Sequence, residues 1–241
     1  MATDVRTGTH GGFTDWLRDF EEKARDRPAR EPDWERGARL APCLVRSLQT
    51  FQVGEDGDGA FLIGKAERAG DPVYTAAVRL FVAEEQDHAR MLERLLTAAG
   101  AGTVRAHWSD ALFLVARRAM GLRVELMVLM LAEVIALGFY GALHDGAEDP
   151  LATEVAGLLL SDERRHVPFH CRRIHQGLAG LPGPVREGVV LGWRAAALAG
   201  AMLIGLDHRR TLRLVGWGWR RFVRTVLAEA RAAAAQMRHP R

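Results

Sequence analysis

The sequence predicts an all-α protein built around an antiparallel four-helix bundle, with additional N-terminal and C-terminal helices. Long segments carry apolar residues at every third or fourth position, and glycine and proline separate these segments. No stretch alternates apolar and polar residues long enough to require a β-strand. With 241 residues and 48% hydrophobic content, the chain is long enough to bury a sizeable core in one domain.

The helical segments can be placed in order along the chain. A short leading helix is expected from Phe13 to Arg25, before a proline-containing linker from Arg27 to Pro32. The four bundle helices are then expected at Trp34 to Ala69, Pro72 to Ala99, Ser109 to His144 and Leu151 to Gly177. Asp71-Pro72 and Asp149-Pro150 each place proline in a first helical turn, where its missing N–H costs nothing. One or two further helices would fill Val185 to Gln236.

The first bundle helix is weakest around Glu55. Gly54, Gly57 and Gly59 surround this residue, and each interior glycine costs about 1 kcal/mol relative to alanine. We expect packing to compensate for this cost and the helix to continue. The acidic run 55–59 lacks the ligand order of an EF-hand loop, so we do not expect a calcium site there.

The cysteines and the N-terminal residues indicate in which cellular compartment the protein is expected. Cys43 and Cys171 are far apart and show no Cys-x-x-Cys spacing. This argues against a disulfide framework, a zinc ribbon or an iron–sulfur cluster. The polar segment Met1 to Gly12 lacks the basic and apolar regions of a secretory signal. We therefore expect a reducing, cytoplasmic setting.

Two stretches are apolar enough to raise the question of a membrane. Leu126 to Leu143 carries Glu133 near its centre, and Val189 to Leu206 carries Arg194. Charged residues are rare and costly inside a bilayer. We therefore expect both stretches to form helices buried in protein, with no membrane span.

The net charge of +3 hides a basic C-terminal tail. From His208 to Arg241 the chain holds nine arginines and a single acidic residue, Glu229. Aromatic residues interleave with these arginines, so one interpretation is a contact with nucleic acid or with an acidic membrane. We favour the other interpretation, an amphipathic helix that docks on the bundle and exposes its basic face, with no nucleic acid bound.

Six side chains repeat one pattern across the bundle helices. In each half of the chain a glutamate is followed, 30 residues later, by a Glu-x-x-His pair: Glu55 with Glu85 and His88, and Glu133 with Glu163 and His166. Apolar residues recur around them every three or four positions, which places all four glutamates on inward-facing stripes. Any single member could instead be structural, with Glu55 capping a kinked helix or Glu85 and His88 forming a surface pair.

Four buried carboxylates require compensation, because each unpaired buried charge costs several kcal/mol. Two divalent cations would balance the four carboxylates. Carboxylate oxygens combined with two imidazoles suit iron or manganese better than zinc in a thiolate cage. Taken together, the six residues predict a site for two first-row metal ions.

The pattern resembles the ferritin-like di-iron carboxylate superfamily, which carries Glu, Glu-x-x-His, Glu and Glu-x-x-His on four antiparallel helices. The resemblance covers about residues 38–178. Within it, the segment 162–166 is similar to the Asp-Glu-x-Arg-His form of oxygen-activating members. The resemblance implies two iron ions, or manganese or a mixed pair, and O₂ as co-substrate. It implies that Glu85 and Glu133, or Glu55 and Glu163, include the bridging carboxylates.

The resemblance also implies partners for the two histidines. Asp162 would accept a hydrogen bond from His88, and Glu84 would accept one from His166. Such partners fix the imidazole tautomer and tune the metal. In addition, we expect Arg165 to pair with Asp87 across the helices.

Other residues near the predicted ligands have more than one interpretation. His170 follows His166 by one turn and is an extra ligand, a proton relay or, as we favour, a core histidine. Tyr140 could carry electrons or protons, although a buried tyrosine with a hydrogen bond is commoner. Four apolar side chains would either line a pocket or fill the core: Phe81, Met127, Met130 and Phe139.

We divide the chain into an N-terminal segment with a short helix (1–37), the ferritin-like bundle (38–178) and C-terminal helices packed on it (179–241). The expected function is that of a non-heme di-iron oxidoreductase that uses O₂ to oxidise a small organic substrate in the bundle core. An external electron donor is needed, because the chain has no flavin or nicotinamide fingerprint. An apolar outer face would favour a homodimer.

Three other functions compete with this expectation. The first is a ferroxidase or iron-handling protein, against which the long C-terminal extension argues, since a storage ferritin needs only a compact bundle. The second is a manganese or mixed-metal redox protein, which the same ligands would serve. The third is a scaffold that kept the fold without the chemistry, against which the complete ligand set argues.

Overall fold

A computed structural model describes residues 12–105 and 121–239. Within these ranges the chain forms helices and no β-strand, which confirms the predicted all-α class. The α-helices are α1 (Phe13–Asp26), α2 (Pro42–Glu55), α3 (Ala60–Arg68), α4 (Pro72–Ala98), α5 (Leu122–Gly146), α6 (Pro150–Leu178), α7 (Gly183–Asp207), α8 (Arg209–Leu214) and α9 (Trp219–Arg238). Short 3-10 turns at Arg27–Arg30 and Trp34–Arg36 connect α1 to α2.

The two Asp-Pro pairs begin α4 and α6. The Asp71 carboxylate accepts a hydrogen bond from the Tyr74 N–H at 2.9 Å, and Asp149 accepts one from Ala152 at 2.9 Å. Each aspartate therefore caps an N–H group that has no partner within its helix. The start expected at Ser109 for the third bundle helix lies outside the described residues, and α5 is described from Leu122.

The first bundle helix is not continuous, so the prediction of one helix from Trp34 to Ala69 is wrong. Residues 56–59 leave the helix, and Gly59 has a φ of +63°, which favours glycine. A Cβ on Gly59 would lie 2.4 Å from Cγ1 of Val82 on α4. The first part also begins later than expected, because Pro42 keeps Ala41 in an extended conformation. As a result, Glu55 is the last residue of α2.

The core joins two groups of helices. In one group α2 and α3 pack on α4, in the other α5 packs on α6, and the groups meet where α4 contacts α6 and α3 contacts α5. The N-terminal helix α1 packs on α4. Its Phe20 lies 5.2 Å from the Phe169 ring and 6.2 Å from the imidazole of His166. The leading helix therefore covers one side of the predicted ligands.

The C-terminal helix α9 docks on α5 and α6 through an apolar stripe. The stripe is formed by Phe222, Val223, Val226, Ala230, Ala233, Ala234 and Met237. Close approach requires Gly138 on α5, where a Cβ would lie 2.6 Å from Cγ2 of Val226. The basic tail thus forms an amphipathic helix packed on the bundle, as the favoured interpretation predicted.

In the part of the chain that the structure describes, two helices, α5 and α7, are long and apolar enough to cross a membrane. Of the most apolar window in each, 72% is buried in α5 but only 28% in α7. The expectation that both stretches are buried in protein is therefore wrong for α7. This helix buries a narrow stripe that includes Trp193 and Ala197, while Leu191, Met202 and Leu203 on other faces are exposed. Large apolar side chains of this helix are thus exposed, among them Leu191, Leu198, Met202, Leu203 and Leu206.

Candidate metal centre

The structure brings the six predicted ligands together from four helices. Glu55 ends α2, Glu133 lies in the middle of α5, and the two Glu-x-x-His pairs lie on α4 and α6. They form two groups that could each hold a metal ion, with all ligand atoms in a group within 4.8 Å of one another. The groups are Glu55, Glu85, His88 and Glu163, and Glu85, Glu133, Glu163 and His166. Glu85 and Glu163 belong to both groups, so these two carboxylates would help to hold both ions.

Each histidine directs its Nδ1 atom at the shared carboxylates. Nδ1 of His166 lies 3.1 Å from Oε1 of Glu85 and 3.5 Å from Oε2 of Glu163. Nδ1 of His88 lies 3.6 Å from Oε1 of Glu85 and 3.4 Å from Oε1 of Glu163. Glu133 completes the second group, with Oε2 at 3.6 Å from Nδ1 of His166. The two imidazoles thus face one set of carboxylate oxygens.

The donor atoms of the centre lack other partners. Among the described residues, six of these buried atoms form no hydrogen bond: Glu85 Oε1, His88 Nδ1, Glu133 Oε1 and Oε2, Glu163 Oε2 and His166 Nδ1. Leaving a buried polar atom without a partner is costly, and such atoms are rare in folded proteins. Cations coordinated by carboxylate oxygen and imidazole nitrogen would satisfy all six. The residues present therefore fit a pair of divalent metal ions.

The far side of each imidazole contacts a carboxylate. Nε2 of His166 lies 2.9 Å from Oε2 of Glu84, and Nε2 of His88 lies 3.5 Å from Oδ2 of Asp162. These are the two contacts that the resemblance implied. An Nε2–H that donates to a carboxylate leaves the lone pair on Nδ1, which is the atom that faces the centre.

Arg165 holds these two outer carboxylates together. Its guanidinium donates to Glu84 at 2.8 Å, to Asp162 at 3.1 Å and to Asp19 of α1 at 2.7 Å. The predicted pair between Arg165 and Asp87 is therefore wrong. Asp87 lies instead beside Arg90, 2.7 Å away one helical turn on, and Arg27, 3.3 Å away.

Sequence reasoning missed the contribution of the N-terminal segment. Arg27 donates to Glu84 at 2.9 Å, and Asp19 accepts from Arg165. Neither residue has a spacing that relates it to the Glu-x-x-His pairs, so no pattern in the chain indicated them. Glu84 itself falls off the apolar stripe of α4, yet it is only 1% exposed. Its burial follows from the two arginines that reach it.

Tyr140 and His170 lie next to the two groups of ligands but belong to neither. The Tyr140 hydroxyl donates to Oε1 of Glu55 at 2.6 Å and so fixes the carboxylate at the end of α2. Nε2 of His170 lies 4.0 Å from Oε1 of Glu133. The His170 ring is fully buried and packs edge-on against Phe81, with ring centroids 4.5 Å apart.

Crowded charges shift the protonation of the centre. Burial and the charges of Glu85 and Glu163 raise the pKa of Glu55 and of Glu133 well above the ordinary value. Burial opposes ionisation of Glu163 too, but contacts with Glu133, His166 and His88 lower its pKa. For both histidines burial is outweighed by the surrounding carboxylates, which raise the imidazole pKa. Without metal, the centre thus holds protons that a cation would displace.

A cavity of about 670 Å³ reaches the centre from the carboxylate side. All four ligand glutamates line it, whereas neither ligand histidine does. Its exposed lining residues include Asp56, Gly57, Asp58 and Phe61, so we place the mouth of the cavity at this loop. Of the four apolar residues with two interpretations, Phe81 lines the cavity, and Met127, Met130 and Phe139 are absent from the lining. Phe139 stacks instead on Phe51, which does line the cavity, at 3.8 Å between centroids.

Comparisons with models of known protein families and with curated proteins give no match. The resemblance stated from the sequence therefore rests on the ligand pattern. The described helices and the clustered buried acidic and histidine side chains are compatible with it.

Replacing Arg165 by methionine should strongly destabilise the metal-free protein. The change leaves Glu84, whose side chain is 2% exposed, and Asp162 with one fewer positive neighbour. We expect a loss of about 3–5 kcal/mol in the free energy of unfolding, measured by urea denaturation. Arg79→Met is the matched control, because Arg79 pairs with Glu67 where both side chains are at least half exposed, and should cost less than about 1 kcal/mol. Equal losses in the two variants would contradict this role of Arg165.

The affinity of the centre for a divalent cation should rise with pH. The raised pKa values of His88, His166, Glu55 and Glu133 mean that a cation must displace protons, and this competition weakens as pH increases. Calorimetric titration with Mn²⁺ should show the Kd falling at least about tenfold between about pH 6 and about pH 8. Buffers of different ionisation enthalpy should reveal proton release. A Kd independent of pH, with no proton released, would show that these groups do not bind the ion.

Proposed function

We propose that the protein is a non-heme di-iron oxidoreductase with a ferritin-like bundle, which activates O₂ to oxidise a small organic substrate. The observation that carries this proposal is the pair of adjoining ligand groups, joined by Glu85 and Glu163, whose carboxylates open on an apolar cavity. A purely structural metal site would have no need of such a cavity. Ligand pockets of enzymes typically have volumes of about 300–1,000 Å³, which includes the cavity found next to these carboxylates.

The donor set supports iron, with manganese or a mixed pair as the alternative. Four carboxylates and two imidazoles are hard and intermediate ligands, and neither Cys43 nor Cys171 belongs to either group. When bound, two iron ions would exchange electrons with O₂ and supply the oxidising power of the reaction. Two free cysteines also agree with the reducing cytoplasm as the proposed location.

The surrounding residues would perform the remaining tasks. Asp162 and Glu84 orient the two imidazoles, and Tyr140 orients Glu55 through its hydroxyl. Phe20 and Phe81 cover His166, so water would reach the centre through the cavity and not through the histidine side. A substrate in the cavity would therefore approach the bound ions from the carboxylate side. Electrons would come from a separate donor protein, since the sequence offers no flavin or nicotinamide motif.

Iron oxidation is the second candidate, and the acidic mouth favours it. Asp56 and Asp58 are exposed at the opening and would attract ferrous ions. The interior argues for an organic substrate, because the wall between mouth and centre is formed largely by apolar side chains such as Phe51, Leu129 and Ile135. A route for repeated passage of a hydrated cation would be expected to carry polar groups along its length.

Metal content and O₂ consumption test the proposal together. After anaerobic loading, we expect about two irons per chain, and with a reductant we expect O₂ uptake. Glu163→Ala should lose both ions and the uptake, because Glu163 belongs to both groups, whereas Glu55→Gln should retain one ion. Glu35→Gln, at an exposed residue far from the motif in sequence, is the control and should match the parent chain.

Two results would count against the oxygenase. Full iron content in Glu163→Ala would remove the ligand assignment on which the proposal rests. Uptake of O₂ that continues only while ferrous iron is added, in amounts well above two per chain, would favour the ferroxidase.

A further inference from the structure

The ionisable side chains of the described cavity lining are carboxylates, apart from His208. Among the described residues that line it there is no lysine and no arginine. Apart from the four ligand glutamates, its acidic residues are Asp56, Asp58 and Glu125. Glu125 is balanced by Lys65, whose Nζ lies 2.7 Å from Oε2 of Glu125. With metal ions neutralising the ligands, Asp56 and Asp58 are the remaining acidic side chains of the described lining for which no ion pair is found.

His208 is the basic side chain in the described lining, and its contact with Ser47 requires no second proton on the imidazole. The Thr211 hydroxyl donates to the carbonyl of Cys43 at 2.8 Å, so it accepts from Ser47 at 2.7 Å. Ser47 has then used its proton, and Nδ1–H of His208 must donate to it at 2.8 Å. A neutral imidazole with its proton on Nδ1 can therefore make this series of hydrogen bonds. A second proton on Nε2 would be balanced by Asp207, 3.7 Å away.

The rest of the cavity wall is apolar. A charged group on a bound molecule would therefore be unfavourable deep in the cavity and is expected only near the mouth. Phe51, Phe81, Leu129, Ile135 and Ile204 form much of it. An anion would first pass two aspartates and would then meet no lysine or arginine among the described lining residues, so only the bound metal ions could attract it. A protonated amine would be attracted at the mouth and could leave its apolar portion in the cavity.

We propose that the substrate is an apolar amine, and that the cavity selects against carboxylates of the same size. This inference rests on the proposed function, because it names the substrate class of the same site. The two aspartates supply the selectivity, and the apolar wall supplies the binding of the hydrocarbon portion.

Binding to zinc-loaded protein tests the inference without any turnover. Octylamine, octanol and octanoate share one chain length and differ in head group. Calorimetry at low salt should give a Kd for octylamine at least about tenfold below that for octanoate, with octanol between them. The ratio should shrink as salt is added, because Asp56 and Asp58 are exposed.

The double variant Asp56→Asn/Asp58→Asn should reduce the ratio of octanoate Kd to octylamine Kd at least about threefold. Asparagine at position 58 keeps a side-chain acceptor for the Ala60 N–H, which Asp58 contacts at 3.0 Å, so the start of α3 is retained. Asp26→Asn removes one negative charge at an exposed residue outside the cavity lining and should leave the ratio unchanged.

Octanoate that binds as tightly as octylamine would overturn the inference, as would an unchanged ratio in the double variant. If that variant slowed only the loading of ferrous iron, the aspartates would serve iron entry and the inference would also fall. None of these outcomes affects the metal content or O₂ uptake by which the proposed function is judged.

Discussion

The neutralisation of buried carboxylate charge is the constraint on which the rest of this structure depends. Four glutamates from four helices converge in the core, and two of them, Glu85 and Glu163, face both histidines. Such an arrangement is unfavourable for an empty protein, since like charges at short range raise one another's pKa and buried donors lack partners. It is favourable for a protein that binds cations there. The cost of this site to the stability of the metal-free protein therefore supports a role in binding cations.

Layers of charge and packing extend outward from this centre. Asp162 and Glu84 contact the far sides of the two imidazoles, and Arg165 donates hydrogen bonds to both carboxylates. Arg165 also donates to Asp19 of the leading helix. The N-terminal segment thus belongs to the centre in energetic terms, although it lies outside the duplicated pattern. On the opposite side, the loop after Glu55 and the shared carboxylates line the same cavity. One side of the site is closed by packed side chains, and the other opens into the cavity.

Much of the fold and the position of the ligands could be predicted from the sequence, because helical periodicity and Asp-Pro caps are local signals. The break at 56–59 could not, since glycine only lowers helix stability and the outcome depends on the contact between Gly59 and Val82. The exposure of α7 could not be predicted either, because a long and strongly apolar stretch normally predicts burial. The partners of Arg165 depend on tertiary contacts that have no sequence spacing.

The most direct test of the central claim is anomalous diffraction from crystals of the protein loaded with Fe²⁺ or Mn²⁺. Two peaks about 3.5–4 Å apart, each bound by one histidine and both contacted by Glu85 and Glu163, are the predicted result. A single peak, or none near these carboxylates, would contradict the claim that the four glutamates exist to hold a pair of metal ions.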